Sequence, residues 1–434
     1  MNDAATGRGA PRVSRRTILG LGATAAGALA ACTAAGPEPP GSASGSTGST
    51  GQKPVIDQWY HAYSEAGARE AVVRYAAAYS GATVTVAWKV GDYDFTTAAA
   101  VRSGQGPDVF EYANGPTIDM IRGGHVVDLT DTVGAGQEGF QQSILGRMTH
   151  EGRIWGIPQV VDTQVLVYRR SMLDDAGLAP PRTMDELIES ARALTTKDVK
   201  GIYLGNRGGA THLGGPTLWS AGLDYLTDDN KVGFDDPRAA EALGRYAELH
   251  ESGAVLTEAP KDWFEPAALI DGLTAMQFTG LWTFPELTEQ LGEDFGVLPW
   301  PALDDMGNPS VPLGAYGACV SATATDVEAA KDFVRWLWVE QADLQLDFAT
   351  AYGLHIPSRT SLIDQADDLK SGPGAEATAI ALDYGVPQSK LLWTRTCVNA
   401  FEAMMDAVIG GADPASEIKD LRPVVAAELK RVLA

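Results

Sequence analysis

Thr83-Val84-Thr85-Val86-Ala87-Trp88-Lys89 sets Val84, Val86 and Trp88 on one face, the two-residue period of a strand. Upstream, Ala68, Val72, Tyr75 and Tyr79 recur at spacings of 4, 3 and 4, which predicts a helix over 65–79 stopped by Gly81. Before it, residues 55–59 read as a short buried strand. Downstream, a helix over 95–102 ends at Ser103-Gly104-Gln105-Gly106, and Pro107-Asp108-Val109-Phe110-Glu111 begins another strand. Strand and helix alternating in this way predict an α/β chain with mostly parallel sheets and helices on both faces.

The rhythm continues further along. Thr183-Met184-Asp185-Glu186 and Thr325-Asp326-Val327-Glu328 both fit the capping box, in which Thr and Glu satisfy each other's backbone donors. The second precedes a helix whose apolar face is Val327, Ala330, Val334, Leu337 and Trp338. Another amphipathic helix is expected over 239–250, ended by Gly253. No short-period repeat is present.

The first 53 residues read differently. Ser14-Arg15-Arg16-Thr17-Ile18-Leu19 opens a run of apolar and small residues that closes on Leu29-Ala30-Ala31-Cys32, a lipobox. Charge, apolar core and cut site define an export signal over 1–31, with Cys32 as the lipidated residue. The paired arginines resemble a twin-arginine signal. The run is too short and glycine-rich to span a bilayer, which takes about 20 apolar residues. Gly, Ser, Thr, Ala and Pro dominate residues 33–51, so 32–53 is expected to be a flexible tether to a membrane facing away from the cytoplasm. Of 434 residues, about 380 remain to fold, enough for two domains.

The formal charge is −23. Removing Arg8, Arg12, Arg15 and Arg16 against Asp3 takes +3 away and leaves −26. So acidic a surface excludes nucleic acid as a partner. Besides Cys32 there are two cysteines, Cys319 and Cys397, open to a disulfide or to two buried thiols, the plainer reading. His150-Glu151 and His250-Glu251 each lack the second histidine of a zinc-protease helix. Asp228-Asp229-Asn230 begins like a calcium loop, but Val232 and Ala239 stand where oxygen ligands belong. Val109 stands where a dinucleotide fingerprint needs its third glycine, and no nucleophile elbow occurs. No catalytic residue, cofactor or metal is therefore expected.

Four blocks in order carry a resemblance. The first is Ser103-Gly104-Gln105-Gly106-Pro107-Asp108-Val109-Phe110 with Gly123-Gly124-His125-Val126-Val127-Asp128-Leu129. The second is Gly156-Ile157-Pro158, Val167-Tyr168-Arg169, Ala176-Gly177-Leu178 and Pro181-Arg182-Thr183-Met184-Asp185-Glu186. The third runs from Ala275-Met276-Gln277-Phe278-Thr279-Gly280-Leu281-Trp282 to Phe295-Gly296-Val297-Leu298-Pro299-Trp300-Pro301. The fourth pairs Gly314-Ala315-Tyr316-Gly317 with Gly353-Leu354-His355-Ile356-Pro357. From about Pro54 onward the chain resembles the extracellular solute-binding proteins of ATP-binding-cassette importers, in the sugar-binding group that includes maltose-binding proteins. Arg169 departs from that pattern, which usually has Asn. The resemblance implies a two-lobed periplasmic-binding-protein-like fold with a ligand cleft between the lobes. It places the N-terminal lobe at 54–161 and 315–354, and the C-terminal lobe at 162–314 and 355–434, joined by about three crossings. It also implies a monomer that carries a small-molecule ligand to a membrane permease.

Ligands of such sheets bind beyond the carboxyl ends of strands. Trp59-Tyr60-His61-Ala62-Tyr63 is rich in rings for a turn, which suits a pyranose whose C–H face stacks on an aromatic; the alternative is that Trp59 closes the core. Glu111 and Asn114 offer a carboxylate and an amide after the third strand, although Asn114 could instead cap a helix. The resemblance puts Trp282 at the cleft as a stacking platform, with Gly280 giving room for close approach. Asp162 and Gln164 fall in the first crossing. Trp219, Tyr316, Arg359 and Trp393 complete the candidates. The expected ligand is a sugar or oligosaccharide. A polyamine would need several cleft carboxylates, glycerol phosphate would need cleft Arg or Lys, and an exported glycosidase would need two facing carboxylates.

Overall fold

The computed structural model describes residues 53–434. The export signal, Cys32 and the tether before Lys53 lie outside the described residues.

Five strands make the first sheet, in the order Thr83–Lys89, Val55–His61, Val109–Ala113, Tyr316–Val320 and Ile157–Pro158. The first three are parallel, each joined to the next by a helical crossover. Tyr316–Val320 runs antiparallel to both its neighbours. The second sheet follows the order Gly385–Pro387, Val311–Gly314, Val160–Arg169, Thr274–Gly280, Lys200–Tyr203 and Val255–Leu256, with Phe295–Leu298 and Ile356–Pro357 also paired to Val160–Arg169. Thr274–Gly280, Lys200–Tyr203 and Val255–Leu256 are mutually parallel, as are Val311–Gly314 and Gly385–Pro387. Every antiparallel pair in these two sheets involves Tyr316–Val320 or Val160–Arg169, the strands on which the chain passes between lobes.

Val160–Arg169 is buried along nearly its whole length, including the polar Thr163 and Gln164 between its two apolar stretches. Beside it lie the other two passes. Leu313 and Gly314 pair with Thr163 and Asp162, while Ile356 and Pro357 pair with Val161 and Val160. Three crossings are thus hydrogen-bonded side by side. On one side of them Ile56, Tyr60, Val72, Tyr75, Phe333 and Trp338 form a core. On the other, Leu187, Leu243, Tyr246, Phe278, Trp300 and Met405 form a second. The protein is a two-lobed α/β molecule with its crossings at the base of a cleft. Among the described residues, no helix is long and apolar enough to cross a membrane.

Local departures from expectation have local causes. The helix expected over 65–79 is Ala68–Ala78, because Gly67 at φ 92° lies outside it, with the Tyr352 ring 2.8 Å from where a Cβ would stand. The first strand extends to His61, so the ring-rich segment is half strand rather than turn. Thr183 caps its helix by accepting from Glu186 N at 3.3 Å, but Glu186 reaches back to Arg182 N, one residue before the box position. Thr325 does not cap at all: Asp326 accepts from Ala329 N at 3.0 Å, and Thr325 N donates to Asp108 instead. Cys319 and Cys397 are both buried free thiols.

Candidate functional site

Where the crossings meet, the lobes enclose a cavity of about 410 Å³, within the size range of small-ligand sites. The first lobe contributes His61, Tyr63, Glu65 and Asn114, and Tyr316 closes the same wall. The second contributes Trp263, Phe264, Trp282 and Gln388, while Asp162, Gln164 and His355 come from the crossings.

Strand alternation explains the first wall. Ile56, Gln58 and Tyr60 face the core, which leaves His61 to turn toward the cavity. Beneath it Glu111, only 1 % exposed, takes three donors: His61 N at 2.8 Å, His61 Nδ1 at 2.5 Å and the Tyr63 hydroxyl at 2.8 Å. Burial opposes a charge on His61, but the charge and hydrogen bond of Glu111 outweigh it and raise the imidazole pKa. Tyr316 stacks on the His61 ring at 4.1 Å and 16°. Glu111 therefore holds the loop that carries these rings and sits behind the cavity wall.

Asn114 adopts a positive φ of 58°, a region that asparagine enters more readily than most residues. Asn114 N donates to Ala315 O at 2.7 Å, and its side-chain amide reaches Gln388 Oε1 of the other lobe at 3.4 Å. It caps no helix; Thr117 does that for Ile118–Arg122. At the base of the cavity, His355 is buried between Asp162 at 2.5 Å and Glu65 at 3.4 Å. Burial opposes its charge, yet the two carboxylates push its pKa up to about 10. Glu65 in turn is lowered, since its bond to His355 outweighs burial. Gln164 is 4 % exposed, and its Oε1 is buried with no partner among the described residues.

The opposite wall is aromatic. Trp282 lies flat over Gly280, where an added Cβ would stand 1.9 Å from the indole. Its Nε1 donates to Phe264 O at 2.9 Å, which uses the polar edge and leaves the ring face half-buried at the cavity. Trp263 meets it edge-on at 5.9 Å and stacks on His212 at 4.2 Å.

A second chamber of about 400 Å³ adjoins the first and shares Ala113, Asn114 and Gln388 with it. The Asn114–Gln388 contact stands between the two. Trp219 and Trp393 border this second chamber, 4 % and 5 % exposed, with Trp393 stacked on Tyr225 at 4.4 Å.

His61, Tyr63, Asn114, Asp162, Gln164, Trp282 and Tyr316 are thus brought together, as seven of the residues singled out from sequence. Trp59 is not among them: its ring carries the Lys89 ammonium at 3.7 Å and its Nε1 bonds Asp57. Arg359 lies against Phe140 and Val339 of the first lobe, outside both chambers, because its backbone pairs with Phe140. Sequence reasoning missed Trp263, Phe264, Glu65, His355 and Gln388. The adjacent rings of Trp263-Phe264 in a polar segment were a usable signal, of the same kind as 59–63. A lone His355 in an apolar crossing was another.

The profile of the bacterial extracellular solute-binding proteins matches residues 35–342, well over half of the chain. The chain belongs to that family, whose members work outside the cytoplasm. It is 26 % identical to the diacetylchitobiose-binding protein DasA of Streptomyces coelicolor, over 73 % of this chain and 75 % of that one. Identity to the maltodextrin-binding protein MdxE of Bacillus subtilis is 24 %, over 76 % and 79 %. A solute-binding protein of Thermotoga lettingae, solved with α-D-tagatose, superposes with a TM-score of 0.74 over 87 % of this chain and 100 % of its own, at 19 % identity.

Proposed function

We propose that this protein is a non-enzymatic receptor for a sugar or oligosaccharide, held at the outer face of the cell membrane through lipidated Cys32, and that it delivers its ligand to an importer permease. The observation that carries the reading is the pairing, in one cleft, of ring faces with uncharged amides. Trp282 and Trp263 offer platforms for the C–H faces of a pyranose, and Asn114, Gln164 and Gln388 offer hydroxyl partners. The relatives that bind diacetylchitobiose and maltodextrin support it.

The lobes are taken to divide within the three crossings, at 161/162, 314/315 and 354/355. Closure then gains free energy only from contacts that the ligand makes with both walls. The tether raises the receptor's effective concentration at its permease. A glycosidase is disfavoured by the state of the acids at this cavity. Glu65 and Asp162 are both engaged by His355, and Glu111 by His61 and Tyr63, so no pair faces a scissile bond freely.

Thermal-shift screening of the soluble domain against a carbohydrate library tests the proposal. A saccharide that raises the melting temperature by mass action, with no product formed, supports it. Hydrolysis of a bound saccharide, or no response to any of them, overturns it.

A further inference from the structure

The second chamber has a chemistry the first lacks. Arg147, at the end of the helix Gln142–Arg147, lines it with a buried Nη1 that has no hydrogen-bond partner among the described residues. Its guanidinium bonds only Ser389 Oγ, from Nε at 3.3 Å, and no carboxylate pairs with it among the described residues. In a chain with 56 acidic residues this is unusual, since buried charges are normally paired. Burial without an acid partner depresses the Arg147 pKa to about 10, so the group stays charged at neutral pH.

Arg102 and Arg395 stand at the rim of the same chamber, exposed, and neither forms an ion pair among the described residues. The acids present are largely spoken for. Asp119 is held by Arg431 at 2.9 Å and Glu402 by Arg207 at 3.2 Å. Asp94 remains, and burial lifts its carboxyl to about 6. His212, with an unpartnered buried Nε2, is kept neutral by burial, its pKa pushed down to about 3. Three unpaired arginines against one unpaired carboxylate give the chamber a positive excess.

We infer that the second chamber receives an anionic oxygen group of the ligand, a carboxylate or a phosphate, with Arg147 as its principal partner and the neutral rings lying in the first chamber. This rests on the receptor reading above and narrows its ligand to an acidic saccharide. The two chambers meet at Asn114 and Gln388, so one elongated molecule can occupy both. Ser389 and Gln388 belong to the second lobe and Arg147 to a helix packed beside the first. An anion there would therefore touch both sides of the cleft and favour closure.

Titration calorimetry on the soluble domain distinguishes the possibilities. The probes are glucuronate-terminated di- and trisaccharides, their methyl esters, sugar phosphates of the same length, and the neutral parent oligosaccharides. The uronate or the phosphate should bind at least about tenfold more tightly than its neutral counterpart, as a charged hydrogen bond to a buried guanidinium allows. Arg147→Gln should remove that preference while leaving neutral binding and the melting temperature unchanged. Arg395→Gln should reduce it less. Whichever of uronate and phosphate loses more affinity in Arg147→Gln is the group recognised. Tight binding of neutral probes with no gain for either anion overturns this inference but not the receptor reading. Failure of every probe, neutral and acidic, overturns both.

Discussion

Asp119 and Arg431 grip each other with two parallel hydrogen bonds, 2.9 and 3.1 Å, although 312 residues separate them. Asp119 rides on the short helix beyond the third strand of the first lobe, and Arg431 on the last helix of the second, so the pair bridges the cleft. Nearby, the Arg122 guanidinium donates to Val432 O, and Ile118 is buried in the core of the second lobe. The two lobes are therefore also joined beside the second chamber, at residues that do not line the first, where His355 lies.

Because this pair is exposed, it is worth at most about 1 kcal/mol and is screened by salt. Asp119→Ala should weaken ligand affinity by no more than about fivefold, with the difference vanishing in concentrated salt. Calorimetry at low and high ionic strength checks it. An effect of two orders of magnitude would mean that Asp119 contacts ligand directly.

Trp282→Ala should cost about 1–3 kcal/mol of ligand affinity and leave the fold intact, as expected for a half-exposed stacking ring. Circular dichroism and a binding isotherm separate the two effects. Unfolding without a change in intrinsic affinity would make Trp282 a core residue.

Gly280→Ala probes the same platform from behind. A methyl group there would stand 1.9 Å from the indole and must displace it. Affinity should fall about as far as in Trp282→Ala, by an amount on the order of 1–3 kcal/mol. An unaltered isotherm would show that the ring's position over Gly280 is irrelevant to binding.

His355 predicts a pH dependence. Its folded-state pKa is raised from 6.5 to about 10. The stability it confers is therefore full below about pH 6.5 and is lost as pH climbs toward 10. Denaturant melts of the wild type should weaken across that window, and those of His355→Gln should be flatter. Parallel curves for the two proteins would refute the assignment. Glu65, lowered by the same contact, acts oppositely: its contribution is present above its ordinary pKa and disappears on acidification.

Cys32→Ser should move the protein from the membrane fraction to the soluble fraction without altering the isotherm. Retention at the membrane would dismiss the lipid anchor.

Much of the fold is legible in the sequence because its signals are local. The alternation of Val84, Val86 and Trp88 and the spacing of Ala68, Val72 and Tyr75 depend only on near neighbours, and both elements are present. Thr325 misleads because Asp326, one residue on, accepts the same kind of bond and sits in the extended conformation a cap requires. The cleft residues divide along similar lines. His61, Tyr63 and Trp282 lie at strand ends, where α/β topology locates ligands, so their roles can be read in order along the chain. Gln388 cannot: it faces Asn114 from 274 residues away, and nothing around it in sequence marks that meeting. Arg359 and Trp59 carry suitable chemistry but are turned elsewhere by partners, Phe140 and Lys89, that only the folded chain brings near.

The strand Tyr316–Val320 lies between Val109–Ala113 and Ile157–Pro158, and this has a consequence for synthesis. As the polypeptide leaves the ribosome, the first half cannot complete its own sheet until this fourth strand, which follows Ala315 at 201 residues from Asn114, has been translated. Neither half is a contiguous stretch that can mature early. A nascent chain therefore carries its first sheet unfinished through the synthesis of the whole intervening segment, and a chaperone that meets it in that interval meets the sheet without its fourth strand.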